Sequence, residues 1–434
     1  MNATPRNESR QSGDRLLRAA VLGCKRLLSE RGETNSMSIA RGLVLRLKQL
    51  ESWQLDAFFD YLAKDLSPEP QAVLASARAY AEKPDAQNLI ALSLAAEPPR
   101  QELLRRLNRA PEGTATILRL RRELLHRLPK RPELAALESD LLHLLSSWFN
   151  PGFLNMTRVD WNSPARLLEK IIQHEAVHAL DGWDDLRRRL QPDRRCFAFF
   201  HPQLPEEPLI FVEVALLPEM PPAIAPLIDK SSTPMRADSF RVAAFYSISN
   251  CEPGLRGVSL GNFLIKSVAE QLQRELPRLR IFCTLSPLPS FAHWLLAKPD
   301  LSALPRIKRS QLQALEKAHA LLLQSVGGDL TLLQHKAGQD KLEAPAGAAL
   351  LALASSYLLH LSPTTEGDPV ARFHLDNGAR LERLNLAGNL SAKGLKQSFG
   401  LMVNYLYDLD KIEASHEKFK QGEVARSRAV GSLF

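Results

Sequence analysis

The chain has 434 residues and a formal net charge of +8, with 45% hydrophobic and 24% charged residues. The length predicts two or three domains, and the composition excludes the disordered and fibrous classes. The positive charge fits a polyanionic partner, either a nucleic acid or a phosphate-bearing ligand, and charge alone does not choose between them.

Four cysteines are widely spaced and form no Cys-x-x-Cys pair, which predicts reduced thiols in a cytosol-like compartment: Cys24, Cys196, Cys251 and Cys283. No stretch is expected to reach the ~18 apolar residues of a membrane span, so no membrane attachment is expected. The N-terminal region mixes Arg with Asp and Glu, which argues against a signal or transit segment. We therefore expect a cytoplasmic protein.

From about residue 14 to residue 149 the hydrophobic periodicity predicts one helix after another, interrupted at prolines. One predicted apolar face is formed by Leu55, Phe58, Phe59 and Leu62. The prediction for residues 1–155 is an all-α domain, a helical bundle that mediates oligomerisation. The arginine-rich stretch LRLRRELLHR (118–127) is interpreted as a solvated helix surface or a subunit contact, because no aromatic residues accompany it as in nucleic-acid sites.

After the Asn150-Pro151-Gly152 break the pattern changes to short runs rich in Phe, Val and Ile, which are typical of strands. The predicted strands are CFAFFH (196–201), LIFVEVALL (209–217), VAAFYSIS (242–249) and RIFCTLS (280–286). Helical periods return beyond Phe291. The overall prediction is therefore an α+β multidomain protein, with a mixed α/β domain over residues 156–434.

A strand-loop-helix-strand unit is the most informative stretch. The strand at 242–249 leads through the loop NCEPGLRGVSLG into a helix predicted over 262–276, and then into the strand at 280–286. Free N–H groups and the positive end of the helix dipole, next to glycines that permit close backbone approach, predict a pyrophosphate site. The loop resembles the acyl-CoA loop of the GNAT acetyltransferases, whose pattern is Gln/Arg-x-x-Gly-x-Gly/Ala. The predicted CoA-binding residues are Arg256, Gly257, Val258, Ser259, Leu260, Gly261 and Asn262.

Ser286 ends the second strand of this unit, at the edge where open α/β sheets present ligand-binding residues. An isolated serine at this position is more often a strand terminator than a functional group. The neighbouring motifs favour the functional interpretation.

Several strings in the same order resemble the malonyl-CoA decarboxylase family: HEAVH, DRRCFAFFH, FYSIS, GLRGVSLGNFLIK, TLSPLPSF, ARFHLDNGA and GLMVNYLY. The resemblance implies a helical domain followed by a GNAT-like catalytic domain, with malonyl-CoA and acetyl-CoA as ligands. It places the catalytic serine and histidine at Ser286 and His374. Ser259 departs from the family pattern, in which an acidic residue is common.

The chemistry of the implied reaction suits these residue types. Loss of CO2 from a malonyl thioester leaves an enolate whose charge lies on the thioester oxygen, so no metal or other cofactor is expected. His374, with a pKa expected near neutrality, is the predicted proton donor, and Ser286 is its polar or proton-accepting partner. The predicted function is conversion of malonyl-CoA to acetyl-CoA and CO2 in fatty acid or malonate metabolism, by a homo-oligomer (dimer or tetramer) that binds neither nucleic acid nor membranes.

The string HEAVH (174–178) offers an alternative, because HExxH on a helix binds zinc with the glutamate as base. No third zinc ligand is evident at a usual spacing. The preferred interpretation is therefore that these residues are structural and pack at a helix end. Asn404, Tyr405 and Tyr407 either line the pocket or are buried structural residues. The other hypotheses are a CoA-dependent acetyltransferase, a zinc hydrolase, and a helical assembly module with a vestigial CoA site.

Overall fold

The computed structural model describes residues 5–258 and 260–433, with the backbone alone at 5–12 and 261–263. It forms two compact units. The first comprises Met1–Asn155, Phe200–Glu207 and Glu252–Ser259, and the second comprises Met156–Phe199, Pro208–Cys251 and Leu260–Phe434.

The first unit is helical. Its helices are α1 (Pro5–Ser29), α2 (Glu33–Gln49), α3 (Ser52–Lys64), α4 (Pro70–Glu82), α5 (Ala86–Ala96), α6 (Pro99–Asn108), α7 (Gly113–Arg127) and α8 (Ala135–Trp148). The apolar face predicted in α3 is buried, as its spacing of three and four residues requires. Proline begins α4 and α6, where its missing N–H costs no hydrogen bond. The all-α prediction is confirmed.

The arginine-rich stretch in α7 was interpreted as a solvated helix surface or a subunit contact, and the first of these two interpretations is wrong. Arg121 is buried and pairs with Glu138, and Arg127 binds Asp56 at 2.5 Å. Arg119 donates to the carbonyl of Leu47 in α2. Sequence periodicity treats an arginine as exposed, whereas its long stem and planar head fit between helices when carbonyl and carboxylate acceptors are available.

The second unit is built on a mixed sheet. Its strands are β1 (Asn155–Val159), β2 (Arg194–Phe200), β3 (Ile210–Leu217), β4 (Val242–Asn250), β5 (Ile281–Thr284), β6 (Ser286–Pro287), β7 (Arg380–Asn385) and β8 (Met402–Leu406). The order is β1-β2-β3-β4-β5-β8-β6, with β7 paired to β8. Strands β2, β3 and β4 are antiparallel, β4 and β5 are parallel, and β8 runs antiparallel to β5, β6 and β7.

Helices flank this sheet. They are α9 (Ala165–His174), α10 (Trp183–Arg189), α11 (Ala225–Ile228), α12 (Gly261–Glu275), α13 (Phe291–Leu296), α14 (Arg309–Ser325), α15 (Lys336–Gln339), α16 (Ala344–Leu361), α17 (Pro369–Asp376), α18 (Ala392–Ser398), α19 (Ile412–Lys420) and α20 (Arg428–Gly431). Helix α12 connects the parallel strands β4 and β5, which confirms the predicted strand-loop-helix-strand unit. The predicted fold class, a helical region followed by a mixed α/β region, is confirmed.

Helix α16 corrects the expectation about membrane spans. Within the described part of the chain it is the one helix long and apolar enough to cross a membrane, and 72% of it is buried inside the protein. Such burial is typical of a core helix. The four cysteines are free, in agreement with the predicted reduced thiols, and all four are buried.

Sequence periodicity missed three strands, of which β1 (Asn155–Val159) follows the first helical region. The chain beyond Phe291 was predicted to be helical, but β7 and β8 lie in this region and pair over residues 380–385 and 402–406. Strand β8 is buried at four of its five positions, so it lacks the polar alternation that reveals a half-buried strand.

Candidate active site

Ser286 is held in place by two strands. After β5 ends at Thr284, the backbone N–H of Leu285 donates to the carbonyl of Phe245 in β4, at 2.9 Å. Ser286 then pairs with Val403 of β8. Both sides of this short segment are therefore fixed by backbone hydrogen bonds, and the Ser286 side chain is buried.

His374 lies in the last turn of α17. The carboxylate of Asp368 caps the start of this helix by accepting the backbone N–H groups two and three residues later, at 3.0 and 3.2 Å, and Pro369 occupies the first turn. The same carboxylate accepts the N–H of Ser290 at 3.0 Å. Burial raises the pKa of Asp368. One capping residue thus links the helix that carries His374 to the segment that follows Ser286.

The structure brings Ser286 and His374 together, although they are 88 positions apart. The Ser286 Oγ atom lies 2.9 Å from Nε2 of His374, and it donates to Oγ1 of Thr284, also at 2.9 Å. On the other side of the ring, Nδ1 of His374 lies 2.8 Å from the hydroxyl of Tyr407. Four side chains therefore form one continuous hydrogen-bonded chain.

Aromatic rings enclose the histidine. Tyr405 stacks on the His374 ring with centroids 4.7 Å apart and an angle of 28° between the planes, and Tyr407 meets it edge-on at 6.2 Å. Burial raises the pKa values of both tyrosines well above the ordinary value, so both phenols are neutral. The sequence left open whether these tyrosines line the pocket or are buried structural residues. In the structure both are buried and lie around the histidine ring.

His374 is neutral at pH 7 in this environment. Burial lowers the pKa of its imidazole to about 3, because an apolar setting disfavours the charged ring. The expectation of a near-neutral pKa for this residue is therefore wrong. A neutral ring carries one N–H, on one of two nitrogens that both have hydrogen-bond partners.

Asn404 ties the strands around the site together. Its Nδ2 donates to the carbonyls of Thr284, at 2.8 Å, and Pro221, at 3.1 Å. Its Oδ1 accepts from Asn385 at 2.8 Å and from Arg383 at 3.0 Å. All its hydrogen-bonding groups are engaged within the protein, so we assign Asn404 a structural role.

The glycine loop belongs to the first unit over residues 252–258. Arg121 of α7 donates to the carbonyls of Gly254 and Arg256, at 2.6 and 2.7 Å, and both its bonds to Glu138 hold the guanidinium in place. A Cβ atom on Gly254 would lie 2.5 Å from the carbonyl oxygen of Leu118, so only glycine fits there. This buried arginine anchors the loop.

The predicted CoA-binding residues are only partly described. The Arg256 side chain is exposed, Val258 and Leu260 are buried, and Gly257 has a φ of +83°, which favours glycine. Ser259 lies outside the described residues. Helix α12 begins at Gly261, as the loop interpretation requires, but the side chains of residues 261–263 lie outside the described residues.

The HEAVH string does not form the helical zinc motif. Helix α9 ends at His174, so the two histidines are not on one helical face. The Glu175 carboxylate accepts the backbone N–H groups two and three residues later, both at 2.8 Å, and the hydroxyls of Ser247 at 2.6 Å and Ser249 at 3.2 Å. Among the described residues, no cluster of three His, Cys, Asp or Glu side chains could hold a metal ion.

Comparison with known proteins places this site in a family. The family model for the malonyl-CoA decarboxylase C-terminal domain matches residues 152–434, and the model for the N-terminal domain matches residues 66–149. The chain belongs to the malonyl-CoA decarboxylase family. Both Ser286 and His374 fall within the C-terminal match.

Two solved bacterial structures are similar to this chain along nearly its whole length. The malonyl-CoA decarboxylase from Rhodopseudomonas palustris is 43% identical with a TM-score of 0.82, over 96% of this chain and 98% of its own. The one from Agrobacterium vitis is 46% identical with a TM-score of 0.80, over 95% and 98%.

Curated vertebrate relatives match a shorter part of their length. The mitochondrial malonyl-CoA decarboxylase of Anser anser anser is 36% identical over 320 residues, which are 71% of this chain and 64% of the goose protein. The protein of Rattus norvegicus is 36% identical over 324 residues, 71% of this chain and 65% of its own. The chain thus spans less than two thirds of these relatives.

Sequence reasoning missed three residues that contact the predicted site residues in the structure. Thr284 and Tyr407 extend the Ser286–His374 pair at both ends, and Arg121 anchors the glycine loop. Thr284 stands two residues before Ser286 in the predicted strand 280–286, where both side chains would share one face, and that spacing was a usable signal. The partners of Tyr407 and Arg121 are 33 and 135 positions away and left no local signal.

Proposed function

We propose that this chain decarboxylates malonyl-CoA to acetyl-CoA and CO2. The observation that carries the proposal is the buried hydrogen bond of 2.9 Å between Ser286 and His374, in a member of a family whose relatives are named for this reaction. Enclosure of the pair by aromatic rings supports it, because a site shielded from water strengthens hydrogen bonds to a developing oxyanion.

The proton balance defines the roles of the two residues. The bond between the carboxylate carbon and C2 breaks, and its electron pair passes into the thioester enolate while CO2 leaves. C2 then takes one proton, so each turnover consumes one proton from solvent. We assign His374 as the donor and Ser286 as the group that aligns the malonyl moiety. Since burial lowers the pKa of His374 to about 3, the negative charge of the bound malonyl carboxylate must stabilise the protonated ring.

The loop from Arg256 to Asn262 is the proposed CoA-binding element. Its support is the glycine conformation at Gly257, the start of α12 at Gly261, and the anchoring of the loop by Arg121. The N-terminus of a helix offers free N–H groups to a pyrophosphate. Because the enolate is stabilised by the thioester itself, we propose that the reaction needs no metal or other cofactor. Full activity after dialysis against a chelator is expected.

We further propose that the protein is a cytoplasmic homo-oligomer that acts in fatty acid or malonate metabolism, without nucleic-acid or membrane partners, and that residues 1–155 mediate its assembly. An exposed apolar surface supports the last point. Helices α4 and α5 have no buried residue, and they expose Leu74, Leu89, Ile90 and Leu94 by 44, 46, 60 and 68%. Apolar patches of this kind are common at protein interfaces.

Product analysis on the purified chain tests the proposal. Malonyl-CoA is supplied with and without a primary amine, and CO2, acetyl-CoA and any acylated amine are measured. We expect equal amounts of CO2 and acetyl-CoA, unaffected by the amine. Amine-dependent release of free CoA without CO2 would instead identify the acetyltransferase alternative.

A further inference from the structure

The hydrogen-bonded chain through His374 has a direction. Ser286 Oγ donates its single proton to Thr284 Oγ1 at 2.9 Å, and Thr284 Oγ1 also accepts the backbone N–H of Tyr405 at 3.3 Å. In this orientation the Ser286 proton points away from the ring, and at 2.9 Å from Nε2 the serine oxygen accepts, so Nε2 carries the N–H. A serine hydroxyl can rotate and would donate to Nε2 if the ring proton moved to Nδ1, so this contact alone does not fix the tautomer.

The other ring nitrogen then follows. Burial keeps His374 neutral, and a neutral imidazole has one N–H, so Nδ1 is an acceptor. The Tyr407 hydroxyl, 2.8 Å away, is the donor to it. This phenol is buried and neutral, and a buried donor without an acceptor would be costly.

We propose that Tyr407 is a positioning residue that fixes His374 in the Nε2–H tautomer. The ring then presents its proton toward Ser286 and leaves the serine hydroxyl free to turn from Thr284 to the substrate. When the ring is protonated, Nδ1–H can donate to the same phenol oxygen, so Tyr407 serves both charge states. A histidine whose second nitrogen lacks such a partner populates both tautomers. The mechanistic part of this inference rests on the proposed decarboxylase function, and the tautomer itself does not.

The chain offers a matched control. Tyr405 contacts the face of the same ring at 4.7 Å, but its buried hydroxyl has no hydrogen-bond partner among the described residues. Tyr405→Phe removes a hydroxyl beside His374 without removing a bond to it, whereas Tyr407→Phe removes the bond to Nδ1.

The tautomer is measured by NMR on protein with 15N-labelled histidine, with the His374 signals identified by their loss in His374→Asn. We expect a protonated Nε2 and an unprotonated Nδ1 in the wild type and in Tyr405→Phe. In Tyr407→Phe we expect averaged signals from both tautomers. A wild-type His374 with its proton on Nδ1, or an unchanged pattern in folded Tyr407→Phe, overturns the proposal.

Kinetics on malonyl-CoA provide the second readout. We expect kcat to fall by about 10- to 100-fold in Tyr407→Phe, with KM nearly unchanged, as is typical when a partner that orients a functional histidine is removed. The fall in kcat should be much smaller in Tyr405→Phe, which keeps the ring stacked on His374 and removes no hydrogen bond to it. A normal kcat in Tyr407→Phe overturns the positioning role. If the wild type releases no CO2, the proposed function fails, and the NMR pattern still decides the tautomer.

Discussion

At the scale of single residues, His374 meets two opposed requirements. Burial lowers its pKa to about 3, yet the proposed reaction asks it to deliver a proton. The Ser286 hydroxyl on one side and the Tyr407 hydroxyl on the other hold the ring in a fixed orientation. A substrate that brings its own carboxylate supplies the charge that the pocket lacks, so protonation and substrate binding are expected to be coupled.

Replacing the paired residues should affect turnover far more than binding. We expect His374→Asn to lower kcat by ~10²–10⁴-fold, the usual contribution of general acid–base catalysis. Ser286→Ala should also lower kcat far more than it weakens binding, because the malonyl group loses the residue that aligns it. Because both act on one transition state, the double variant should lose much less than the product of the single losses.

Steady-state kinetics of these three variants, with acetyl-CoA affinity measured alongside, check this prediction. The exposed His335 provides the control, since His335→Asn should behave as the wild type. A near-normal kcat in folded His374→Asn would show that another group protonates the enolate.

Buried neutral histidines should also make the protein sensitive to acid. Burial, with Arg189 and Lys393 nearby, lowers the pKa of His178 to about 3, from 6.5 in the unfolded chain. Below pH 6.5, His178 therefore binds a proton in the unfolded chain but not in the folded protein, and stability is lost as the pH falls. Each such histidine lowers the free energy of unfolding by up to about 1.4 kcal/mol per pH unit.

Urea denaturation between pH 7.5 and about pH 5 measures this slope, a window above the range in which ordinary carboxylates titrate. We expect a shallower decline in His178→Gln than in the wild type, and no change in slope for His335→Gln. Parallel curves for His178→Gln and the wild type would contradict the assignment of a buried neutral His178.

At the scale of elements, helix α7 and the glycine loop are joined by one side chain. Arg121 satisfies two loop carbonyls and the Glu138 carboxylate at once, and it is buried. Arg122, the next residue on the helix, is less buried. The same helix thus carries two arginines with different roles, which its sequence pattern does not distinguish.

Removing the anchor should loosen the loop. We expect Arg121→Met to lower the free energy of unfolding by about 3 kcal/mol, because it leaves Glu138 and two carbonyls without their partner. It should also raise KM for malonyl-CoA more than it lowers kcat. Denaturation and kinetics check both expectations, with Arg122→Met as the near-neutral control. Equal stability and equal KM in the two variants would show that Arg121 does not anchor the loop.

At the scale of the whole molecule, the exposed face of α4 and α5 is an apolar surface that the described residues of a single chain leave uncovered. Its leucines and isoleucine face solvent although the rest of the first unit has a buried apolar core. A second copy of the chain is the proposed partner of this face.

Polar substitutions on this face should reduce the oligomer size. We expect the double variant Leu89→Ser/Leu94→Ser to have a lower mass by light scattering than the wild type, with unchanged helix content. Leu332, 47% exposed in the second unit, is the control, and Leu332→Ser should keep the wild-type mass. A wild-type mass for the double variant would exclude this face as the interface.

The sequence by itself determined the helical first region, the strands from Arg194 to Thr284 and the helix after the glycine loop, and it predicted Ser286 and His374 as the candidate site residues. These features rest on local periodicity, turn residues and short strings, which need no distant contact. Periodicity failed for β8, because a strand that is buried on both faces shows no alternation.

Only the tertiary structure decided how these parts work together. The bond between Ser286 and His374 spans 88 positions, and the anchor between Arg121 and Arg256 spans 135, so neither could be read from spacing. The low pKa of His374 has the same origin, because it reflects burial by residues from β8 and α17 and not the residue type. Burial and hydrogen bonding are properties of the assembled protein, whereas a sequence specifies only which groups are present to be buried and paired.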